Sequence, residues 1–220
     1  MNYTVYKSKR KSIRMMIKTD GTLAVYCPKS CSKKLIEDFV TKHYDELKRK
    51  HDLRGDVIFG ADGNSLLYLG KRYTIINKEG KFQFNGENFF SCESNKEEIR
   101  RLYRDFLKKE AKKIIPTILK DIAQKHGFCY NRVSIKAISS RYGSCSSKKN
   151  LNFSLALAAF EPEFIQMVVA HELCHTVQLN HSKEFYALLG KIIPNHQNIK
   201  EQSASERSAI LKSIFFSPAP

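Results

Sequence analysis

Apolar positions in the first 94 residues fall in short runs between turn signals, the mark of strands. Tyr3–Tyr6 and Ser12–Lys18 lead to the dipeptide Asp20-Gly21, and Thr22–Cys27 returns. Residues 2–27 are therefore predicted to form a β-hairpin. One helical stretch interrupts this pattern. Leu35, Ile36, Phe39, Val40, Tyr44 and Leu47 recur at helical spacing over residues 33–50. Asp52–Ser65, rich in Gly and Asp, is predicted to be a loop. Short strands follow over 66–92, around turns at Leu69-Gly70, Glu79-Gly80 and Asn85-Gly86.

From residue 95 the period changes. Asn95 and Glu98 make a capping-box pattern ahead of Ile99, Leu102, Tyr103, Phe106 and Leu107. This predicts a long helix, kinked at Pro116 and continuing to about Lys125. Arg132–Ile138 and Asn150–Leu157 read as strands. Glu161-Pro162-Glu163 is a helix start, with Pro suited to the first turn and acids to the positive end of the dipole. Phe164, Ile165, Met167, Val168, Val169 and Ala170 make the next stretch apolar nearly all round, as in a buried helix. Ser182 suits the cap of a further helix over Lys183–Gly190. The tail Ser213–Pro220 is predicted to fray. The pattern predicts an α+β fold, with a β-rich N-terminal region over 1–94 and a mostly helical domain with a small sheet over 95–220.

Polar chemistry enters where that buried helix should end, in the run HELCHTVQLNH. A buried helix carrying His171, Glu172 and His175 needs a reason for its polarity. Histidines four apart project from the same side of a helix one turn apart, so both imidazoles can reach one Zn²⁺. Glu172 sits about 100° around, where its carboxylate can take a proton from a water activated by the metal. His181 lies about 240° of rotation beyond His175, so a continuous helix would aim it away. It becomes a third ligand if the helix ends near Gln178–Asn180 and the chain turns back, with Asn180 suited to a left-handed turn. Otherwise His181 is a surface loop histidine, and Glu201 or Glu206 supplies the third donor. Cys174, off the histidine direction, reads as a buried core thiol. Arg141 and Tyr142 are candidates for binding substrate or stabilising an oxyanion, with a structural ion pair as the competing reading of Arg141. Glu184 is a candidate to orient a ligand histidine, or simply a first-turn acid answering the helix dipole.

The segment HELCHTVQLNHSKEFY, preceded by SSRYGSCSSKKNLNFSLALAAFEPEFIQMVVAHE, resembles the YgjP-like metallopeptidase family. This zincin-type group is related in pattern to the SprT-like and WLM-type proteases. The resemblance is strongest over Ser139–Tyr186 and extends to the opening YTVYKSKRKSIRMMIKTDGTLAVYCP. It implies a zincin-like catalytic domain over 95–220, one zinc ion per chain on His171, His175 and His181, and Glu172 as general base. It also implies a cleft near Cys145, in the Gly143–Ser147 turn. Tyr142 and Tyr186 stand where the family often has tryptophan. The histidine spacing equals that of metzincins, but Gln178 replaces the glycine expected there, which argues against that assignment.

Composition adjusts this picture in three ways. The 220 residues suit one large domain or two small ones. No run of 18 apolar residues and no apolar leader appear, and six scattered cysteines form no CxxC pair, so a cytoplasmic protein is expected. Lys and Arg number 38 against 22 Asp and Glu, a net charge of +16. Clusters fall at Lys7–Arg14, Lys48–Arg54, Arg100–Lys113 and Lys148–Lys149. With no nucleic-acid motif beside it, this charge reads first as a solvated surface and second as a polyanion site for nucleic acid or nucleotide. The leading expectation is a zinc metallopeptidase acting on a peptide or protein. A metal-dependent nucleotide phosphohydrolase is the alternative. A basic nucleic-acid-binding module with a structural metal ranks third, because structural zinc is normally closed by four protein ligands.

Overall fold

The computed structural model describes residues 3–17, 22–52 and 57–216. The fold is α+β, as the pattern predicts. It divides into two compact units, the described residues up to Val57 and Ile58–Phe216.

In the first unit β1 (Tyr3–Ser8), β2 (Arg14–Ile17) and β3 (Leu23–Pro28) form a sheet of order β1-β3-β2. β2 and β3 are the antiparallel arms of the predicted hairpin, with Arg14 opposite Tyr26 and Ile17 opposite Leu23. The Asp20-Gly21 turn lies outside the described residues. β1 adds to β3 in parallel, a non-local pairing that no local signal marks. Helix α1 (Lys33–Asp52) lays Ile36 and Val40 on Leu23, Val25 and Cys27, with Tyr44 and Leu47 packed alongside. Leu35, expected on this stripe, is 54% exposed, because it is one residue (about 100°) off the 36/40/44/47 line.

In the second unit β4 (Ser65–Tyr68), β5 (Lys71–Asn77), β6 (Gln83–Phe84) and β7 (Phe89–Ser91) form a sheet of order β4-β5-β7-β6. The predicted Leu69-Gly70 turn joins β4 to β5 with φ of 49° and 78°. A Cβ on Gly70 would stand 2.6 Å from Glu161 Cγ, so close approach as well as backbone angle calls for glycine there. This sheet packs its aromatics on the long helix α2 (Lys96–His126). Phe89 meets Tyr103 and Phe106 edge-on at 6.1 and 5.1 Å, and the Tyr103 hydroxyl donates to the Leu67 carbonyl. Residues 65–91 therefore belong to the second unit, and the boundary drawn from sequence at residue 94 falls inside it.

The Asn95 carboxamide caps α2 by accepting from the Glu97 and Glu98 amides, while the Glu98 carboxylate goes to Arg101 at 3.0 Å. α2 runs through Pro116, which lies on its exposed side, and ends at the left-handed Gly127. Its buried line is Ile99, Tyr103, Leu107, Ala111, Ile115, Leu119 and Ala123, one residue per turn.

A second small sheet of this unit has the order β8-β10-β9, from β8 (Arg132–Lys136), β9 (Gly143–Cys145) and β10 (Asn150–Ser154). The predicted strand over Asn150–Leu157 stops at Ser154, whose hydroxyl accepts from the Ala156 amide and starts a buried 3-10 turn, Leu155–Ala159. Helices α3 (Pro162–Cys174), α4 (Lys183–Ile192), α5 (His196–Glu201) and α6 (Ala204–Phe215) follow. The fraying expected from Ser213 does not begin there. Ser213, Ile214 and Phe215 are helical, and buried Arg100 and half-buried Arg104 donate to the carbonyls of Ser213 and Phe215, while positions 217–220 lie outside the described residues. Among the described residues no helix is long and apolar enough to cross a membrane.

Candidate metal centre

α3 is buried on nearly all sides, and its last turn carries the polar residues. Proline at its start removes one of the amides that the first turn would leave unpaired, and no side chain caps the rest. The buried guanidinium of Arg207 covers the same end, stacked on Phe164 at 4.1 Å and 3.4 Å from Glu161 Oε2.

The helix ends earlier than the sequence predicts. Cys174 is its last residue and His175 its cap. Thr176 and Val177 then donate to the carbonyls of Leu173 and Cys174, tightening the chain into a turn. Asn180 does not provide a left-handed turn. Among the described residues, positive φ outside glycine occurs at Leu69, Lys149 and Ser203. The early close at Thr176–Gln178 has already reversed the chain, so no left-handed residue is needed.

This turn returns His181 to the helix. Its Nε2 lies 3.0 Å from His171 Nε2, and His175 Nε2 lies 3.2 Å from the same atom. The donor atoms of the three histidines all fall within 4.8 Å of one another. Tetrahedral donors at the usual Zn–N length of about 2.05 Å would be about 3.3 Å apart, close to the two spacings from His171. The tautomer fits too. His175 Nδ1 sits 3.0 Å from the Gln178 carbonyl, which can only accept, so that nitrogen carries the proton and Nε2 presents a lone pair. Lone pairs that converge on a shared point cannot satisfy one another, whereas a cation accepts them all. Burial, then the neighbouring His175 and His181, pulls the His171 pKa down to about 3, so the imidazole stays neutral. Glu201 and Glu206 lie outside this group, as exposed residues of α5 and α6.

Glu172 is buried, at 6% exposure, and faces strand β9. A Cβ on Gly143 would stand 2.7 Å from both Cγ and Oε1 of Glu172, so the bare strand backbone is what lets the carboxylate lie there. Burial pushes its pKa up to about 7, and the Arg141 charge opposes the rise. Cys145, two residues along β9, feels the Glu172 charge, so β9 lines this side of the centre. Sequence reading took Gly143–Ser147 for a turn. Gly-Ser-Cys has no apolar alternation to reveal a strand, which only its pairing to β10 defines.

Gly143→Ala is expected to be tolerated by the fold, because Gly143 has no positive φ and the clashing atoms belong to the free end of a side chain. It should displace the Glu172 carboxylate by ångström-scale motion. We expect an unchanged melting temperature and a loss of turnover of about 10²-fold. Wild-type turnover in Gly143→Ala would show that this contact does not matter to the chemistry.

The remaining candidates separate. Arg141 is exposed and reaches the site through its charge on Glu172. Tyr142 instead packs edge-on against Phe160 and Phe164 at 5.5 and 4.9 Å, with burial pushing its phenol up to about 12. Glu184 is exposed on the first turn of α4 and hydrogen-bonds Ser182, which lowers its pKa. The partner oriented on His175 is the Gln178 carbonyl. Cys174 is fully buried among Ala170, Phe185 and Leu189 with its thiol pushed up to about 12, a core position. Sequence reading missed Phe185, whose ring lies against all three histidines.

The family model described as YgjP-like, metallopeptidase domain, matches residues 11–205. The solved structure of the metallopeptidase zymogen abylysin of Pyrococcus abyssi is similar at 19% identity and a TM-score of 0.39, over 42% of this chain and 93% of that one. A comparison with curated proteins finds no match.

Proposed function

Since the chain belongs to the YgjP-like metallopeptidase family, and so to metal-dependent peptidases in general, we propose that it is a zinc peptidase. In this reading His171, His175 and His181 hold the ion and Glu172 is the general base. The observation that carries it is the convergence of three Nε2 atoms at 3.0 and 3.2 Å, with the His175 tautomer fixed from behind. Three imidazole donors suit zinc, and three protein ligands leave a position for substrate and water. The ion would supply Lewis-acid polarisation of the scissile carbonyl and ionise water near neutral pH.

The protein's own groups do the rest. Glu172 accepts the proton of the attacking water and delivers it to the departing amine. Its burial keeps the carboxylate near the neutral range, where a base can both take and return a proton. Arg141 holds its charge on that side of the centre. β9 supports a peptide substrate over a nucleotide, because it is an edge strand of its sheet. The backbone groups of an edge strand can pair with an extended peptide.

The test is removal and return of the metal. Purified protein should carry about one zinc per chain by elemental analysis. Stripping with a chelator should abolish cleavage of a casein or mixed-peptide substrate, and added Zn²⁺ should restore it. Full peptide cleavage by the stripped protein would overturn the proposal. Hydrolysis of nucleotides but not peptides would replace it with the phosphohydrolase reading.

A further inference from the structure

The three imidazoles share one more neighbour. Phe185, on the first turn of α4, is fully buried. Its ring centroid lies 4.9 Å from that of His171, 4.6 Å from His175 and 4.8 Å from His181. The histidine centroids are themselves 4.8, 5.0 and 4.8 Å apart. Six distances between 4.6 and 5.0 Å put the four rings at the corners of a nearly regular tetrahedron. Phe185 thus closes one side of the histidine triangle, and a ligand can approach the triangle only from the other sides.

We propose that Phe185 is a positioning residue for the metal centre: its flat face holds the three imidazoles at ligand spacing before the ion arrives and blocks a further donor from behind. This inference rests on the reading of the three histidines as metal ligands.

Local structure explains how one side chain reaches all three. Ser182 caps α4, its hydroxyl accepting from the Phe185 amide at 3.4 Å, so the helix begins directly after His181. That fixes Phe185 one turn beyond His181 on the same side. Ala170 and Cys174, which precede His171 and His175 on α3, form the apolar bed in which Phe185 and Leu189 lie. His171 and His181 meet the ring at 71° and 79°, and His175 at 31°. Steep contacts at these distances are the favoured arrangement of aromatic pairs and restrain ring rotation. A preorganised ligand set binds more tightly because little side-chain freedom is lost on binding. Outer partners of ligand histidines are usually polar groups. Here one polar group, the Gln178 carbonyl, orients a single ring, and an apolar ring supports all three.

The test compares Phe185→Leu with Leu189→Val, a change in the same apolar cluster on a residue without a ring contact to the histidines. Phe185→Met repeats it with a flexible side chain, so the outcome does not hinge on one variant's folding. Zinc affinity is read by competition with a chromophoric chelator, and the Co²⁺-substituted proteins by their visible absorption. Phe185→Leu and Phe185→Met should bind zinc on the order of 10-fold or more weakly and shift the Co²⁺ bands. Leu189→Val should leave both readouts unchanged while lowering the melting temperature of the metal-free protein. Wild-type affinity and Co²⁺ bands in the Phe185 variants would overturn the inference and leave the metal centre intact. So would an equal loss of affinity in Leu189→Val, which would mark general core packing as the cause. If the wild type takes up neither ion, the metal centre itself falls, and this inference with it.

Discussion

Glu172→Gln should keep its metal and its thermal stability while turnover falls by about 10²- to 10⁴-fold, the usual range for loss of a general base. Glutamine has nearly the same size and can occupy the same place beside Gly143. It can still hydrogen-bond a water, but it cannot accept a proton at neutral pH. Stability should not suffer, because burial already disfavours the ionised carboxylate and raises its pKa to about 7. For a carboxyl whose folded pKa lies above the unfolded one, ionisation opposes folding at higher pH, and the amide removes that penalty. The measurement pairs elemental analysis and a melting curve with a peptide-cleavage rate. A wild-type rate would remove Glu172 from the chemistry, and loss of zinc would make it a ligand.

What could be read from the sequence here was whatever is local. Histidines four apart, Asn95 before an apolar run and Pro162 after Glu161 each announce themselves within a turn of helix. The elements they predict are present as α3 and α2. The turn that returns His181 was legible only in outline. The need for a reversal follows from helix geometry, but the choice of Thr176–Gln178 over Asn180 depends on where α3 closes, and hydroxyl and ring bonds of Thr176 and His175 decide that.

What sequence hid is what distant segments do to one another. Gly143 reads as a turn residue, and only the path of β9 beside α3 shows that its missing Cβ makes room for Glu172. Ser213–Phe215 reads as a loose end, yet an arginine 113 positions earlier donates to its carbonyl. Phe185 is one apolar residue among several on an amphipathic helix. Its meeting with three imidazoles required the helix start, the turn and α3 together. Tyr142 shows the reverse case, a residue that looked chemical in the sequence and is packed in an aromatic cluster.

Of the changes to the site, loss of a ligand histidine should be the most severe. His171→Ala and His175→Ala remove the donors in the last turn and at the C-cap of α3, and His181→Ala removes the donor carried by the returning turn. Losing an outer partner of a ligand typically costs about 10- to 100-fold in affinity. Losing a donor itself should exceed that, leaving each variant without stoichiometric zinc after dialysis and without measurable cleavage. His171→Ala should be the worst of the three, since its Nε2 is the atom both other donors approach, at 3.0 and 3.2 Å. Glu201→Ala and Glu206→Ala should keep both zinc and activity, because neither carboxylate stands in the histidine group. Elemental analysis of the five variants decides between the donor sets. Full zinc in His181→Ala together with loss in Glu201→Ala or Glu206→Ala would move the protein to a carboxylate-ligated centre. Full zinc in His171→Ala or His175→Ala would remove the metal from α3 altogether.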